Sequence, residues 1–394
     1  MFIFNNQSAA LLFVLAGVLV LYVLAGHPLL LALTARRHVR PIVKQIQWRT
    51  VSVLLPVRNG EHWLRSKLDC LLSLDYPREL IQILVISDGS IDRTDEIASE
   101  YASSGIELIR IRRGGKAAAL NTGMARATGE ILFFTDVRQH LDAKSLQRLV
   151  ECFADPTVGV ASGELIIGDS HALEHTRVGV YWRYEKWMRT RLSQIDSMLG
   201  ATGCIYAMRR ELAVPLPSDM LLDDVYLPLA AFFRGYRVIL ESSARAYDYP
   251  TELGSEFLRK VRTLAGVYQT LRYYPALLTQ RNRMWLHFMS HKIGRLLLPH
   301  ALIVMSVTSF ALPEGWREFA VGSQAVFYAF AAADIWMPER WRLKSLTSYA
   351  RTFLVLMTAA FCAVPTFLFG GLEIWAETRV QQRAAGPAAQ AQLE

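Results

Sequence analysis

VSVLLPVRNGEHWLRSKLDCLLSLDYPRELIQILVISDGS, residues 51–90, is the stretch of sequence that decides the fold. Its two apolar runs, residues 51–55 and 83–86, are rich in valine, leucine and isoleucine, and each is followed by polar turn residues. Residues 63–74 between them carry apolar side chains at helical spacing. A strand, a helix and a second strand in this order predict a parallel sheet in an α/β domain.

The segments that follow continue the same alternation. Residues 107–111 and 131–134 are predicted strands, and residues 116–127 between them form a predicted helix. In sheets of this kind, ligands bind at the carboxyl ends of the strands, where the strand order reverses. Three strand ends carry acidic or polar groups: residues 56–61, 87–90 and 135–136. An acid after a strand can also cap the next helix, so one such end alone leaves both interpretations open.

A Gly114-Gly115-Lys116 loop accompanies these strand ends. Taken together, the loop and the polar strand ends indicate a nucleotide site. The loop lacks the G-x-x-x-x-G-K-[ST] spacing of a Walker A motif, which excludes a P-loop ATPase.

Composition limits the remaining classes of protein. The chain has 394 residues, 52% of them hydrophobic, a formal net charge of +8 and four cysteines. No basic stripe is interleaved with aromatic residues, and much of the positive charge flanks apolar segments, so we expect membrane lipid and no nucleic acid as a partner. The cysteines show no CxxC spacing, which argues against a zinc site or a disulfide framework.

Apolar residues concentrate at the two ends of the chain. Residues 9–33 carry no formal charge, and a helix of this length, about 37 Å, spans a hydrocarbon core of roughly 30 Å. A cleaved signal peptide is the alternative, but the segment lacks a basic n-region and a cleavage site. Residues 296–312, 319–336 and 353–372 are three further candidate spans.

Basic residues set the predicted orientation of these spans. The segment after the first span has no acidic residue between positions 36 and 49. Its basic residues are Arg36, Arg37, Arg40, Lys44 and Arg49. The connection between the third and fourth candidates is also mainly basic, with Arg340, Arg342, Lys344 and Arg351. By the positive-inside rule both segments are cytosolic. We therefore expect an integral protein of a bacterial-type inner membrane with its central domain in the cytosol.

The predicted organisation has five parts. A transmembrane helix, residues 1–35, precedes a cytosolic α/β domain, residues 36–250. Residues 251–283 are predicted amphipathic helices, because apolar residues recur at helical spacing from Phe257 to Leu271. This pattern is typical of a helix on a membrane surface, with a buried domain helix as the alternative. About three transmembrane helices, residues 284–375, and a flexible tail, residues 376–394, complete the chain.

Six short motifs in order resemble one known family. They are LLPVRNGE at 54–61, ISDGSIDRT at 86–94, GKAAALN at 115–121, FTD at 134–136, GATG at 200–203 and LDDV at 222–225. In this order and spacing they resemble glycosyltransferase family 2, in its membrane-integrated, inverting, polysaccharide-synthase-like form. The resemblance covers residues 48–275. It implies a GT-A-type (Rossmann-like), mostly parallel sheet domain inserted between transmembrane helices.

The resemblance also implies a role for each matching position. The nucleotide-sugar site would comprise Pro56, Arg58, Glu61, Asp88, Lys116, Asn121, Asp136, Arg138 and Arg262. Within it, Asp88 would accept from the base, and Asp136 would hold the ribose and the metal-bound diphosphate. The acceptor would lie over a floor formed by Gly200, Thr202 and Gly203, since glycine permits close backbone approach.

Asp224, with Asp223 beside it, matches the acid that deprotonates the acceptor hydroxyl in this family. Repulsion between two neighbouring carboxylates raises the pKa of one of them toward a value useful for a base. Two acids in a first turn also suit an ordinary helix N-terminus, because residues 225–230 continue apolar. The sequence alone leaves that alternative open.

Two departures from the family pattern qualify the expectation. The second acid of the Asp-x-Asp motif is Arg138 here. Mg²⁺ or Mn²⁺ is therefore expected with one protein acid and the diphosphate as ligands, unless the guanidinium supplies part of the neutralising charge. The Gln-x-x-Arg-Trp motif of processive synthases is reduced to Arg262, which weakens the case for processive synthesis.

The function expected from this resemblance is transfer of a sugar from a UDP- or GDP-type donor to a glycan or lipid-linked acceptor at the cytosolic membrane face, in polysaccharide biosynthesis. Transfer to a polyprenyl phosphate is the alternative among enzymes. A non-catalytic membrane protein that responds to nucleotide sugars is the alternative from another class. Replacement of Asp224 distinguishes the classes, because an enzyme then loses turnover and a sensor keeps its function.

Overall fold

A computed structural model describes residues 6–168, 178–248, 253–338, 341 and 343–369. The predicted tail, residues 376–394, and the end of the last predicted span lie outside the described residues. The chain divides into two compact units. The described part of the sheet unit comprises residues 38–168 and 189–248, and the helical unit comprises residues 6–37, 178–188 and 253–369 apart from its gaps.

Helices and strands alternate through the sheet unit. In chain order the first half of the protein contains α1 (Asn6–Leu21), α2 (His27–Arg37), β1 (Val51–Val57), α3 (Glu61–Leu72), β2 (Ile81–Asp88), α4 (Thr94–Glu100), β3 (Ile106–Ile111), α5 (Gly115–Arg126), β4 (Ile131–Thr135) and β5 (His140–Leu141). There follow α6 (Ser145–Glu151), β6 (Val158–Ile167), α7 (Val178–Ile195), β7 (Ile205–Arg209), α8 (Asp223–Phe233) and β8 (Arg237–Asp248).

The eight strands form one mixed sheet in the order β3-β2-β1-β4-β7-β6-β8-β5. The first four are parallel, as predicted from their sequence. Strand β7 then runs antiparallel to both β4 and β6, while β8 is parallel to β6. The strand order reverses at β1, which lies between β2 and β4, so the carboxyl ends of β1 and β4 mark the expected ligand edge.

The sheet is held by an apolar core on continuous buried strands. Six of the seven residues of β1 and all five of β4 are buried. Strands buried on both faces lose the alternation of polar and apolar residues, which is why their sequences read as apolar runs. The rigid sheet fixes the positions of the loops that follow β1, β2 and β4.

The helical unit contains α1 and α2, joined by a π-helical turn, Tyr22–Gly26. Its other helices are α9 (Leu253–Tyr273), α10 (Trp285–Phe288), α11 (Gly294–Ser309), α12 (Trp316–Ala333) and α13 (Leu343–Phe369). Helix α9 contains the predicted amphipathic pattern and buries Val261 within this unit.

Two helical segments of the described chain are long and apolar enough to cross a membrane, Asn6–Arg37 and Leu343–Phe369. They contain the first and fourth predicted spans. The second predicted span lies mainly in α11, which continues from α10 through a π-helical segment, Met289–Ile293, so that the uninterrupted helix covers residues 285–309. The third corresponds to α12, which has 18 residues. Asp334, at the end of α12, is fully buried and accepts from Thr347 Oγ1 at 2.9 Å, with Lys344 Nζ at 3.3 Å.

Candidate active site

The loops after β1 and β2 are bonded to each other at the carboxyl edge of the sheet. The amide of Gly60 donates to Thr94 Oγ1 at 2.8 Å, and the amide of Glu61 donates to Asp92 Oδ2 at 3.0 Å. The Glu61 carboxylate in turn accepts from the amide of Arg93 at 3.1 Å. Asn59 adopts a positive φ of 48° at the start of this loop. The predicted site residue Glu61 is therefore held in place by the neighbouring loop.

Asp88, the last residue of β2, binds the start of α5. Its Oδ1 accepts from the amide of Gly114 at 2.6 Å and its Oδ2 from the amide of Gly115 at 3.0 Å. These amides are among the four that a helix N-terminus leaves without intrahelical partners. The carboxylate therefore caps α5 and fixes the position of the next residue along the chain, Lys116.

Lys116 joins two carboxylates that come from different parts of the sequence. Its Nζ lies 3.0 Å from Asp136 Oδ1 and 3.4 Å from Asp223 Oδ1. Asp136 follows β4, whereas Asp223 is the first residue of α8. Asp223 is only 8% exposed, and its Oδ2 is buried without a hydrogen-bond partner. Three predicted site residues thus meet at the edge where the sequence placed the ligand.

Asp224 lies in the first turn of α8, beside this group. A Cβ added to Gly203 would lie 3.0 Å from Asp224 Oδ2, so the carboxylate rests directly against the glycine backbone. Burial and the charge of Asp223 raise the pKa of Asp224 to about 6, although Lys116 and Arg189 oppose the shift. Burial likewise raises the pKa of Asp223. We refer to Asp136, Asp223 and Asp224 as the carboxylate cluster.

The Gly200–Gly203 loop is fixed against the acid pair. The amide of Ala201 donates to the backbone carbonyl of Asp224 at 2.7 Å, and Gly200 has a φ of 154°. Thr202 is anchored through its amide to Ser162 Oγ at 2.8 Å and through its hydroxyl to the carbonyl of Gly163, also at 2.8 Å. The three residues predicted to form the acceptor floor, Gly200, Thr202 and Gly203, therefore border Asp224.

Arg138 faces an acid that the sequence analysis did not single out. Its Nη2 donates to Asp248 Oδ2 at 2.6 Å, and Gln139 Nε2 donates to the same oxygen at 2.7 Å. Asp248, the last residue of β8, lies 110 positions away along the chain. No sequence pattern relates the two. The Arg138 guanidinium, which the sequence predicts as an alternative neutralising group for the diphosphate, is therefore already paired with Asp248.

Lys67 is a second residue that the sequence analysis missed. It lies on α3, is 2% exposed, and donates to Thr135 Oγ1 and to the carbonyl of Gln139, both at 2.7 Å. Burial lowers the pKa of its amine to about 8. The lysine ties together the two ends of the loop that carries Asp136 and Arg138. The signal in the sequence was a lysine on the apolar face of a predicted helix.

The remaining predicted residues lie elsewhere. The Asn121 Nδ2 donates to the carbonyl of Leu216, and its Oδ1 accepts from the amide of Leu216, both at 2.8 Å. This side chain therefore holds the loop that contains Leu216. Arg58 is exposed and Pro56 is half-buried at the end of β1. Arg262 belongs to α9 in the helical unit. The nucleotide-sugar roles of these four residues stay predictions.

The raised pKa of Asp224 predicts a pH dependence of the reaction. The general-base role predicted for Asp224 requires a deprotonated carboxylate, so kcat/KM should rise with pH and be lost as the pH falls through about 6. The apparent pKa belongs to the coupled Asp223–Asp224 pair and includes the effects of Asp136, Lys116 and Arg189. Initial rates at low donor concentration between about pH 5 and pH 8 measure it. A flat profile across this range would contradict the assignment.

The sheet unit has a mixed α/β sheet of the GT-A type. The chain carries a glycosyl transferase family 2 domain, since the profile of that family matches residues 52–214. The sequence resemblance to this family is thus confirmed for the domain.

Individual relatives agree with the domain assignment. The chain is 25% identical over 218 residues to a probable glycosyltransferase, YdaM, of Bacillus subtilis, covering 51% of each chain. It is 22% identical to a poly-β-1,6-N-acetyl-D-glucosamine synthase of Staphylococcus epidermidis, covering 60% of this chain and 59% of the relative. These matches therefore span little more than half the length of the curated relatives.

Among solved structures, the fold resembles a mannosyltransferase, PcManGT, of Pyrobaculum calidifontis, determined with GDP-Man and Mn²⁺. The TM-score is 0.71 at 22% identity, and the match covers 92% of this chain and all of the other. At this identity the likeness establishes the fold.

Proposed function

We propose that this chain transfers a sugar, with inversion, from a UDP- or GDP-type nucleotide sugar to a hydroxyl of a glycan or lipid-linked acceptor. The observation that carries the proposal is the position of Asp224. The carboxylate lies against the Gly203 backbone, in the same cluster as Asp136 and Asp223 with Lys116. The proposed base, Asp224, and the proposed charge-neutralising group, Lys116, therefore lie at one edge of the sheet.

The reaction that suits this arrangement is a single displacement. The acceptor hydroxyl oxygen forms a bond to the anomeric carbon while the bond from that carbon to the diphosphate breaks, and the nucleoside diphosphate leaves. Asp224 takes the proton of the hydroxyl, and its raised pKa suits this task near neutral pH. Lys116 neutralises negative charge that develops on the departing diphosphate.

The cluster also fits a divalent cation shared with the diphosphate. The described residues include no group of three or more histidine, cysteine, aspartate or glutamate side chains arranged to hold a metal ion by themselves. They do include Asp136, whose side chain is 36% exposed beside the Lys116 ammonium. Asp136 would hold Mg²⁺ or Mn²⁺ together with donor phosphate oxygens, and the cation would supply charge neutralisation to the leaving group.

The acceptor and the location belong to the same proposal. Two segments that could cross a membrane, Asn6–Arg37 and Leu343–Phe369, flank the sheet unit in the sequence. Basic residues follow the first of them, which favours a cytosolic face for the transferase domain. A synthase of a β-1,6-linked polysaccharide is among the relatives, which supports a role in polysaccharide biosynthesis.

The test is nucleotide release by the detergent-purified protein. A panel of UDP- and GDP-sugars is incubated with Mn²⁺, with Mg²⁺ and with a chelator, each with and without a membrane lipid extract and a set of oligosaccharides. We expect release from one donor, with the rate increased by one acceptor class and abolished by the chelator. Proton NMR of the product then gives the anomeric configuration, which should be opposite to that of the donor.

The outcomes separate the hypotheses. Release that requires polyprenyl phosphate in the extract would identify the alternative acceptor. Donor binding without turnover under every condition would favour a sensor. Absence of both binding and release across the panel would overturn the proposal.

A further inference from the structure

Tyr206 lies on β7, inside the sheet and next to the candidate active site. The backbone register pairs Tyr206 with Phe134 on β4, and the two rings stack in parallel with centroids 4.4 Å apart. Phe134 precedes Asp136 by two residues, and Tyr206 follows Gly203 by three. The tyrosine thus lies on the strand that pairs with β4, shortly after the loop that contacts Asp224.

The hydroxyl of Tyr206 is buried without a partner. The side chain is 0% exposed, and its oxygen has no hydrogen bond to the described residues. Buried polar atoms are nearly always paired, so an unpaired buried hydroxyl requires a reason. A phenylalanine would fill the same space and stack in the same way without the cost of burying an unpaired hydroxyl.

The charges of the carboxylate cluster act on this hydroxyl. Burial and the charges of Asp223, Asp224 and Asp136, in that order, raise the pKa of Tyr206 well above its usual value. The phenol therefore keeps its proton and remains a hydrogen-bond donor. Asp223 Oδ2 is an acceptor that is likewise buried without a partner. The Tyr206 hydroxyl is thus an unpaired donor, and Asp223 Oδ2 is an unpaired acceptor within the carboxylate cluster.

Lys116 neutralises the Asp223 carboxylate through Oδ1 and leaves Oδ2 unpaired in the free protein. Its ammonium is shared between Asp136 and Asp223. When the proposed donor binds, the diphosphate competes for this ammonium, and the buried Asp223 carboxylate loses its cation. A buried carboxylate without a compensating donor is strongly unfavourable. A neighbouring hydroxyl that has no other acceptor compensates the loss.

We infer that Tyr206 is a positioning residue of the transfer site, whose hydroxyl donates to the Asp223 carboxylate when Lys116 engages the diphosphate of the bound donor. This inference rests on the proposed function. It assigns to Tyr206 the task of keeping Asp223, and through it the adjacent Asp224, in place during transfer. The tyrosine touches neither the donor nor the acceptor.

The test is Tyr206→Phe in the full-length protein, with donor turnover and thermal unfolding measured side by side. We expect kcat to fall about tenfold or more while the KM of the donor changes less than about twofold. The unfolding temperature should stay the same or rise, because the substitution removes an unpaired buried hydroxyl. Lower activity together with undiminished stability is a result that a purely structural tyrosine does not give.

Tyr76→Phe is the matched control. The Tyr76 hydroxyl donates to the carbonyl of Arg49 at 2.7 Å and accepts from its amide at 3.0 Å, so it is fully used in the fold. This substitution should lower the unfolding temperature and leave kcat unchanged. The two tyrosines should therefore respond in opposite ways.

A double-substitution cycle identifies the partner of Tyr206. In an Asp223→Asn background, Tyr206→Phe should have little further effect on kcat, because the two residues act as a unit. Unchanged kcat in the Tyr206→Phe single variant would overturn the inference and leave the transferase intact. Full additivity with Asp223→Asn would overturn the assigned partner. Absence of turnover in the native protein would overturn the proposed function and the inference with it.

Discussion

Asp224→Asn should lower kcat by about 10³-fold, the loss typical of removing a general base. The carboxamide occupies the same volume but cannot accept the proton of the acceptor hydroxyl. Because α8 and the Gly200–Gly203 loop keep their backbone contacts, including the bond from Ala201 to the Asp224 carbonyl, the fold should be retained. Donor affinity should change less than about twofold, since the base acts on the acceptor.

The measurement is nucleotide release at saturating donor, accompanied by a binding titration with the intact donor. Glu100→Gln is the control, because Glu100 forms an exposed pair with Arg65 at 2.6 Å and such pairs contribute little. This variant should match the native protein in both assays. A kcat for Asp224→Asn within tenfold of native would show that another group takes the proton.

Lys116→Met should lower kcat/KM by about 10²- to 10³-fold, with a rise in KM as well as a fall in kcat. The substitution removes the ammonium that lies within 3.4 Å of both Asp136 and Asp223. The donor would lose a cation that binds its diphosphate in the ground state and in the transition state. The remaining carboxylates would also repel the diphosphate more strongly.

Lys116→Met should also move the pH profile. The ammonium holds the pKa of Asp224 down against burial and the charge of Asp223. Its removal should therefore raise the apparent pKa of the pair, and activity would be lost at a higher pH than in the native protein. Lys116→Arg keeps the charge and should show an intermediate loss, while Lys144→Met on the exposed surface should have no effect. An unshifted profile in Lys116→Met would contradict the electrostatic role.

The first half of the sheet follows from local sequence. The apolar runs at 51–55, 83–86, 107–111 and 131–134 each lie within an observed strand, and the two predicted helices lie between them as expected. These elements were predictable because β1, β2 and β4 are largely buried and all four strands are bounded by turn residues, so a short window of sequence contains most of the signal. The ends shifted by one or two residues where pairing with a neighbour extends a strand, as for β1.

The second half of the sheet depends on contacts between distant residues. Strand β7 inserts antiparallel between β4 and β6, which the order of the chain does not indicate. The Arg138–Asp248 pair and the anchoring of Thr202 on Ser162 arise from the same long-range pairing. The grouping of Lys116 with Asp136 and Asp223 was expected from the family resemblance, and their chemical roles stay predictions.

The hydrogen bonds between Asp88 and the start of α5 connect the two ends of the proposed nucleotide site, Asp88 and Lys116, through the backbone. The Asp88 carboxylate, which is predicted to accept from the base, accepts hydrogen bonds from the amides of Gly114 and Gly115. Lys116 is the next residue in the chain. The backbone therefore sets the spacing between Asp88, predicted to bind the base, and Lys116, proposed to bind the diphosphate. At the proposed site this fixed spacing should favour a nucleoside diphosphate, which is long enough to reach both groups, over a shorter monophosphate, whatever sugar is attached.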